Sequence, residues 1–333
     1  MLLPGHVVFQ GYPKEGRVIM KTVCMFFCGM MLAASSWAQG WPVKPVRVIV
    51  TYPAGGVVDV LARAVTTELA RELGQPVLVE ARAGAGANIG AEVASRAAPD
   101  GYTLMVSAPF LLNNHLLDRN LRWQVKDFTA IARFTQSPSF IMVSATLPVS
   151  TVKEYVTYAK ARPGIPVAGG VGGSTQTMAV RMFAKAAGFD MNLIDFNGAP
   201  PMLPPMMTGE VSMGIIPSSV ALAGMKSGRL RIIANTSDKR SVLLPDVPTI
   251  AEAGYPDVTV VSWYGLHAPA GTSQSIVARI ASATEKATRV EEARIRTINL
   301  GGEFAYLGTA EFEKFLAEDL LRWQRFANEL GKS

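Results

Sequence analysis

Cysteine is nearly absent from this chain: 333 residues hold two, Cys24 and Cys28, both within the first forty positions. Histidine is almost as scarce, with His6, His115 and His267 alone. No H-x-x-x-H pair and no pair of cysteine ligands occurs, which removes the usual zinc frameworks, and no other cofactor motif stands out. The nucleophile-elbow spacing G-x-S-x-G is missing as well. A strong charge of either sign is also lacking: charged residues make up 17% and the formal net charge is +6. The densest basic group, Arg229, Arg231, Lys239 and Arg240, carries no interleaved aromatics, so it reads as a solvated face and not as a nucleic-acid surface. At 49% hydrophobic, the chain suits a soluble globular protein of about two domains.

The longest apolar run, residues 23–34, is too short to span a bilayer comfortably. Lys21 precedes it and Ser36-Trp37-Ala38 follows with small residues, so residues 1–38 read as a secretory signal peptide, with Met20 as an alternative start. Cys24 and Cys28 lie inside the run instead of closing it, which argues against lipidation. Cleavage after Ala38 leaves no cysteine, excludes disulfides and fits a bacterial periplasm. Lys14, Glu15, Arg17 and Lys21 carry a net +2, so the mature chain keeps +4.

What is present is organised around Tyr52-Pro53-Ala54-Gly55-Gly56-Val57-Val58-Asp59. A β-branched run, residues 46–50, feeds into it and a helical pattern over residues 60–73 follows. Adjacent glycines widen the backbone options, and the first-turn N–H groups of a helix present positive potential. Such a turn either holds a carboxylate or phosphate or serves packing alone. Asp59 likewise has two readings, a structural carboxylate at the helix start or a ligand contact.

The pattern continues with a strand at 76–80, a helix at 88–97 and a strand at 102–107, a parallel doubly wound arrangement that binds ligands at strand carboxyl ends. Gly84, Gly86 and Gly90 are spaced G-x-G-x-x-x-G, one residue off the dinucleotide fingerprint and after the second strand. That loop reads as a place where a helix approaches the sheet. A second unit opens with a strand at 139–143, a helix at 152–161, and then Gly169-Gly170-Val171-Gly172-Gly173-Ser174-Thr175-Gln176 before a helix at 177–187. This repeats the first turn's logic and makes a second anion-friendly nest. Strands at 193–196, 211–216 and 231–234 follow, with Pro217-Ser218-Ser219 opening another helix. Residues 258–266 read as a long strand returning to the first unit, on which three helices at 273–288, 290–300 and 309–330 should pack.

These motifs, in this order, resemble the Bug-type periplasmic solute-binding proteins, the receptors of tripartite tricarboxylate transporters. The resemblance runs through Gly84-Ala85-Gly86-x-Asn88-Ile89-Gly90, Ala98-Pro99-Asp100-Gly101-Tyr102, Leu244-Pro245-Asp246-Val247-Pro248-Thr249 and Trp263-Tyr264-Gly265-Leu266, and covers the mature chain. It implies an α/β, two-lobed Venus flytrap of type II kind, each lobe a sheet flanked by helices. Residues 39–143 plus 264–333 would form one lobe and 144–263 the other, hinged near 138–146 and 257–266. The ligand would be a small carboxylate, delivered to membrane permease subunits by a monomeric receptor. It would lie among Tyr52, Ala54, Gly55, Gly56, Asp59, Ser107, Gly172, Gly173, Ser174, Thr175, Gln176, Asn197, Pro217, Ser218 and Ser219.

The chain departs from the family pattern at Gln176, at Asn197-Gly198 and over residues 211–216, where amide and apolar groups replace charged ones. That points to a ligand without a cationic group. Met178, Met202, Met206, Met207 and Met213 either line an adaptable wall or fill the core, the second being the default. Two rival readings remain: a sensor that reports its ligand to a membrane partner, and an enzyme built on Ser174, Ser218 or Ser219. A serine in a glycine turn is more often a hydrogen-bond donor than a nucleophile.

Overall fold

Val46–Val50 (β1) forms a strand because its β-branched residues are buried on both faces, as in parallel sheets packed between helices. The computed structural model describes residues 40–118, 120–170, 174–196 and 198–330; the leader, Gly172, Gly173 and Asn197 lie outside the described residues. After β1 the chain turns into Val57–Leu73 (α1), which Gly74 ends in the left-handed conformation, its N–H returning to the Ala70 carbonyl at 3.0 Å. Val77–Ala81 (β2), Asn88–Ser95 (α2) and Thr103–Ser107 (β3) follow, and β1 pairs in parallel with β2 and β3. Helix α2 reaches the sheet through Gly90, where a Cβ would lie 2.8 Å from the Arg82 carbonyl and 2.9 Å from Thr51 Cγ2. The glycine loop therefore serves helix approach.

Phe110–Leu117 (α3) comes next, a helix the sequence pattern does not announce. Then Phe128–Ser144 (β4) runs for 17 residues, against the short strand at 139–143 expected from the sequence. Pro138 reads as a strand breaker because it has no N–H to give. Here it stands where the strand changes partners: residues up to Pro138 pair with the later strand Val261–Pro269, and from Ser139 onward β4 pairs with two others.

The second sheet is built from Val152–Lys160 (α4), Ile165–Gly170 (β5), Thr175–Ala187 (α5), Met191–Phe196 (β6), Leu203–Thr208 (α6), Met213–Pro217 (β7), Ser218–Met225 (α7) and Leu230–Asn235 (β8). The chain then returns as Val261–Pro269 (β9), Gln274–Thr288 (α8), Glu291–Asn299 (α9), Glu303–Leu307 (β10) and Thr309–Leu330 (α10). In the first sheet the order is β2-β1-β3-β9-β4 with β10 on β4; in the second it is β4-β7-β5-β6 with β8 on β4. Two lobes result, each a sheet flanked by helices and both sharing β4.

The last helix does not pack on the first lobe alone. At 22 residues it is about 33 Å long. Phe312 near its start stacks edge-on to Trp263 and His267, while Trp323 joins the core that holds Tyr155, Phe183, Val258 and Val260. Asp319 between them is buried, accepting from Trp263 Nε1 at 3.0 Å and from Arg322 at 2.5 Å. So α10 straps both lobes across β9. Met178 and Met213 belong to that same core and Met202 and Met206 to a second one, with Met207 packed against it; packing accounts for these methionines.

Candidate functional site

Three turns leave strands at carboxyl ends and open helices. The first spans residues 52–56. Gly55 has φ +76, a region a side chain rarely adopts, and Gly56 N–H donates to the Pro53 carbonyl at 3.1 Å. A Cβ on Gly56 would stand 3.0 Å from that same carbonyl, so the turn requires glycine at 55 and leaves little room for a side chain at 56. Ala54 is exposed on it. Tyr52 packs edge-on against Phe110, ring centroids 6.1 Å apart.

Asp59 ties this turn from within the first coil of α1. One carboxylate oxygen accepts from the Gly55 N–H at 2.9 Å and from Arg63 Nε at 3.0 Å. Burial pushes the carboxyl up, but the hydrogen bonds from Arg63 and Gly55, with the Arg63 charge, outweigh it and hold the group below its ordinary range. Asp59→Asn should cost about 1 kcal/mol at pH 7, because charge-assisted bonds are worth more than neutral ones and half-exposed Arg63 is screened. A depressed carboxyl contributes above its unfolded value near 4 and loses that contribution as pH falls through the folded value. The gap between wild type and variant in urea unfolding should therefore be constant above about pH 4 and close below it.

Ser107 ends β3 just below that turn and is fully buried. Its hydroxyl lies 3.1 Å from the Gly265 carbonyl and 2.7 Å from His267 Nδ1. The carbonyl can only accept, so the one serine hydrogen faces it and Nδ1 carries the ring hydrogen. Phe128 and Phe312 flank the imidazole edge-on, and burial pushes its pKa down to about 3.

The second turn follows β5. Ser174 caps α5, accepting from the Thr177 N–H at 3.3 Å, while Thr177 Oγ1 donates to the Gly170 carbonyl at 2.8 Å and accepts from the Gly170 N–H at 2.7 Å. Thr175 is buried behind the cap. Gln176 reaches away from the helix: its Nε2 donates to Ser139 Oγ at 3.3 Å and to Ser262 Oγ at 3.4 Å. Ser262 neighbours the hydroxyl of Tyr264, whose pKa burial pushes up to about 12 against the lowering effect of that serine. Burial, and then the neighbouring Tyr264, raise Tyr52 as well, so both phenols stay neutral donors. Ser139, Gln176 and Ser262 thus form one hydrogen-bonded path from the start of α5 to β4 and β9, and Tyr264, two residues beyond Ser262, neighbours Tyr52 of the first turn.

The third turn joins the same path, since Pro217 pairs with Ser139 across β7 and β4. Ser218 is fully buried and donates to the Gly301 carbonyl, which Ser137 also reaches at 3.0 Å. The Ser219 hydroxyl is buried without a hydrogen-bond partner among the described residues. Sequence reasoning missed Ser137, Ser139, Ser262 and Tyr264. Their one signal is a hydroxyl recurring at alternate positions of otherwise apolar strands.

Among the described residues no cluster of histidine, cysteine and carboxylates is arranged to hold a metal ion. A groove of about 600 Å³ lies between α3, the start of β4 and α10, lined by His115, Lys126, Phe128, His267 and Leu316; His267 borders it, and none of the three turns does.

The profile of the tripartite tricarboxylate transporter family receptor matches residues 61–332. Protein BugT of Bordetella pertussis is 29% identical over 318 residues, covering 94% of this chain and 97% of that protein. Rpa4515 of R. palustris, solved with adipate, superposes with a TM-score of 0.78 at 28% identity, covering 87% of this chain and 98% of that one. MatC from Rhodopseudomonas palustris, solved with bound malate, gives 0.74 at 28% identity over 86% of this chain and 100% of that one.

Proposed function

Because this chain belongs to the tripartite tricarboxylate transporter receptor family, we propose that its cleft closes on a small carboxylate and presents it to the membrane permease of such a system. The observation that supports the reading is the Gln176 side chain at the start of α5 reaching Ser139 and Ser262 on the two strands that cross between the lobes, with the Tyr52 turn opening α1 beside β9. Two helix starts supply converging N–H donors without a lysine or arginine in contact, enough to hold an anion. The ligand contacts would come from residues 52–56, Ser174, Gln176 and Ser219, with Gly172, Gly173 and Asn197 contributing from outside the described residues. Asp59, Ser107 and Ser218 shape the cleft from behind, each through bonds to the protein itself.

The lobes would comprise residues 39–143 plus 264–333 and residues 144–263; the change of partners in β4 at Pro138 supports a hinge there. Export with loss of residues 1–38 would place a monomeric receptor in the periplasm; no helix among the described residues is long and apolar enough to cross a membrane. The family is one of binding receptors, and catalysis has little to work with. The serine–histidine pair at hydrogen-bond distance, Ser107 and His267, is buried, and the serine hydroxyl is already engaged by the Gly265 carbonyl.

Adipate and malate, bound by the two structural relatives above, are the first probes, and both lack a cationic group, in line with the reading of the departures at Gln176 and Asn197. In thermal unfolding, a ligand at 100 times its Kd should stabilise the protein by about 2.7 kcal/mol. That shift should fall in Ser174→Ala. A folded, ligand-free preparation that responds to no mono-, di- or tricarboxylate would overturn the reading.

A further inference from the structure

The Gln176 side chain touches the two strands that cross between the lobes, and touches them at the crossing. Ser139 is the first residue of β4 to pair within the second sheet, opposite Pro217; Ser262 lies on β9 in the first sheet, opposite Ser137. One carboxamide nitrogen, carried by the second residue of α5, donates to the hydroxyls of both. Thr236 brackets the same point from the other side, its hydroxyl lying 3.0 and 2.7 Å from the Ser139 and Val260 carbonyls.

We propose that Gln176 is a positioning residue that pins the hinge: by bridging Ser139 and Ser262 it fixes the angle between the lobes before any ligand arrives. The amide has two N–H donors at a fixed angle, and each serine oxygen must stay within reach of one of them. Rotation of one lobe against the other separates a residue held by the second sheet from one held by the first, so the bridge survives only over a narrow range of angles. Its bonds are long, at 3.3 and 3.4 Å, and a carboxylate arriving at the start of α5 would offer the same nitrogen a shorter, charge-assisted partner. Occupancy of the cleft would then release the hinge. This last consequence rests on the receptor reading; the pin itself does not.

Hydrogen–deuterium exchange of the full chain, with no carboxylate present, tests the pin separately from ligand binding. Gln176→Leu should raise exchange at residues 139–141 and 260–263 and leave the cores of both lobes unchanged, since local opening reads out local restraint. Gln176→Glu is the rescue: the serine hydroxyls can donate to its carboxylate, so protection at both crossings should return to the wild-type level. Ser139→Ala combined with Ser262→Ala should reproduce the leucine variant, and adding Gln176→Leu to that pair should change nothing further. Unchanged exchange at the crossings in Gln176→Leu would overturn the proposal. So would a uniform rise over the whole chain, or a failure of Gln176→Glu to restore protection.

Discussion

Lowering the pH from 6.5 toward 3 should cost the folded protein roughly 1.4 kcal/mol per pH unit through His267 alone, or about 4–5 kcal/mol over the whole interval. The imidazole is enclosed by Phe128, Phe312 and Ser107, and burial depresses its pKa to about 3. In the unfolded chain the same ring titrates near 6.5. Between these values the unfolded state holds a proton that the folded state does not, so stability falls as pH falls; above 6.5 both states are neutral and the dependence vanishes. Asp59 contributes only below about pH 4, which leaves the window from 6.5 to 4.5 to His267. The other histidine in the described chain, His115, is exposed. Urea unfolding across that window checks the slope, and His267→Gln, neutral throughout and still able to donate to Ser107, should flatten it. An equally steep variant would assign the acid sensitivity to other groups. Because Ser107 and Gly265 lie directly beneath the Tyr52 turn, carboxylate binding should fail along with stability on the acid side.

The turns that would hold the ligand were legible in the sequence because their chemistry is local. Gly55 and Gly56, or Ser174 before a helical pattern, declare a strand-to-helix turn within eight residues, and the structure forms the first turn and the Ser174 cap of α5. The contacts that bring those turns together are not local. Gln176 meets Ser262 across 86 positions, and a serine inside an apolar strand announces no partner. Length misled in two places. Pro138 split β4 on paper, whereas the missing N–H falls where the strand exchanges one sheet for another. The amphipathic pattern of α10 identifies a helix with a core face but not the two cores it spans, so Trp323 gave no sign that it belongs with Tyr155 and Phe183. Strand β10 escaped for a related reason: its five residues are all half-buried, and a single pairing with β4 defines it.

A methyl group at residue 301 should be among the most damaging single changes outside the cores, at roughly 2–4 kcal/mol. Gly301 sits between α9 and β10 with φ +73, which alone strains any side chain. Its Cβ would also stand 2.1 Å from Ser218 Oγ and 2.8 Å from Ser218 Cβ, in a site where both serines that reach the Gly301 carbonyl are buried. Ser218 opens α7 on the second sheet and Gly301 leads into a strand of the first, so the collision pushes on the joint between lobes. By contrast Ser218→Ala should cost only about 1 kcal/mol, because Ser137 still donates to the carbonyl at 3.0 Å. The two effects should not add. Ser218→Gly removes both clashing side-chain atoms, and combined with Gly301→Ala it should recover about 1 kcal/mol relative to the sum of the single variants. What remains is the backbone strain and a 3.1 Å approach to the Ser218 carbonyl carbon. Strict additivity in denaturant unfolding would mean that strain at residue 301, and not its contact with α7, sets the cost. Coupling would identify the Ser218–Gly301 contact as a point where the second lobe bears directly on the first.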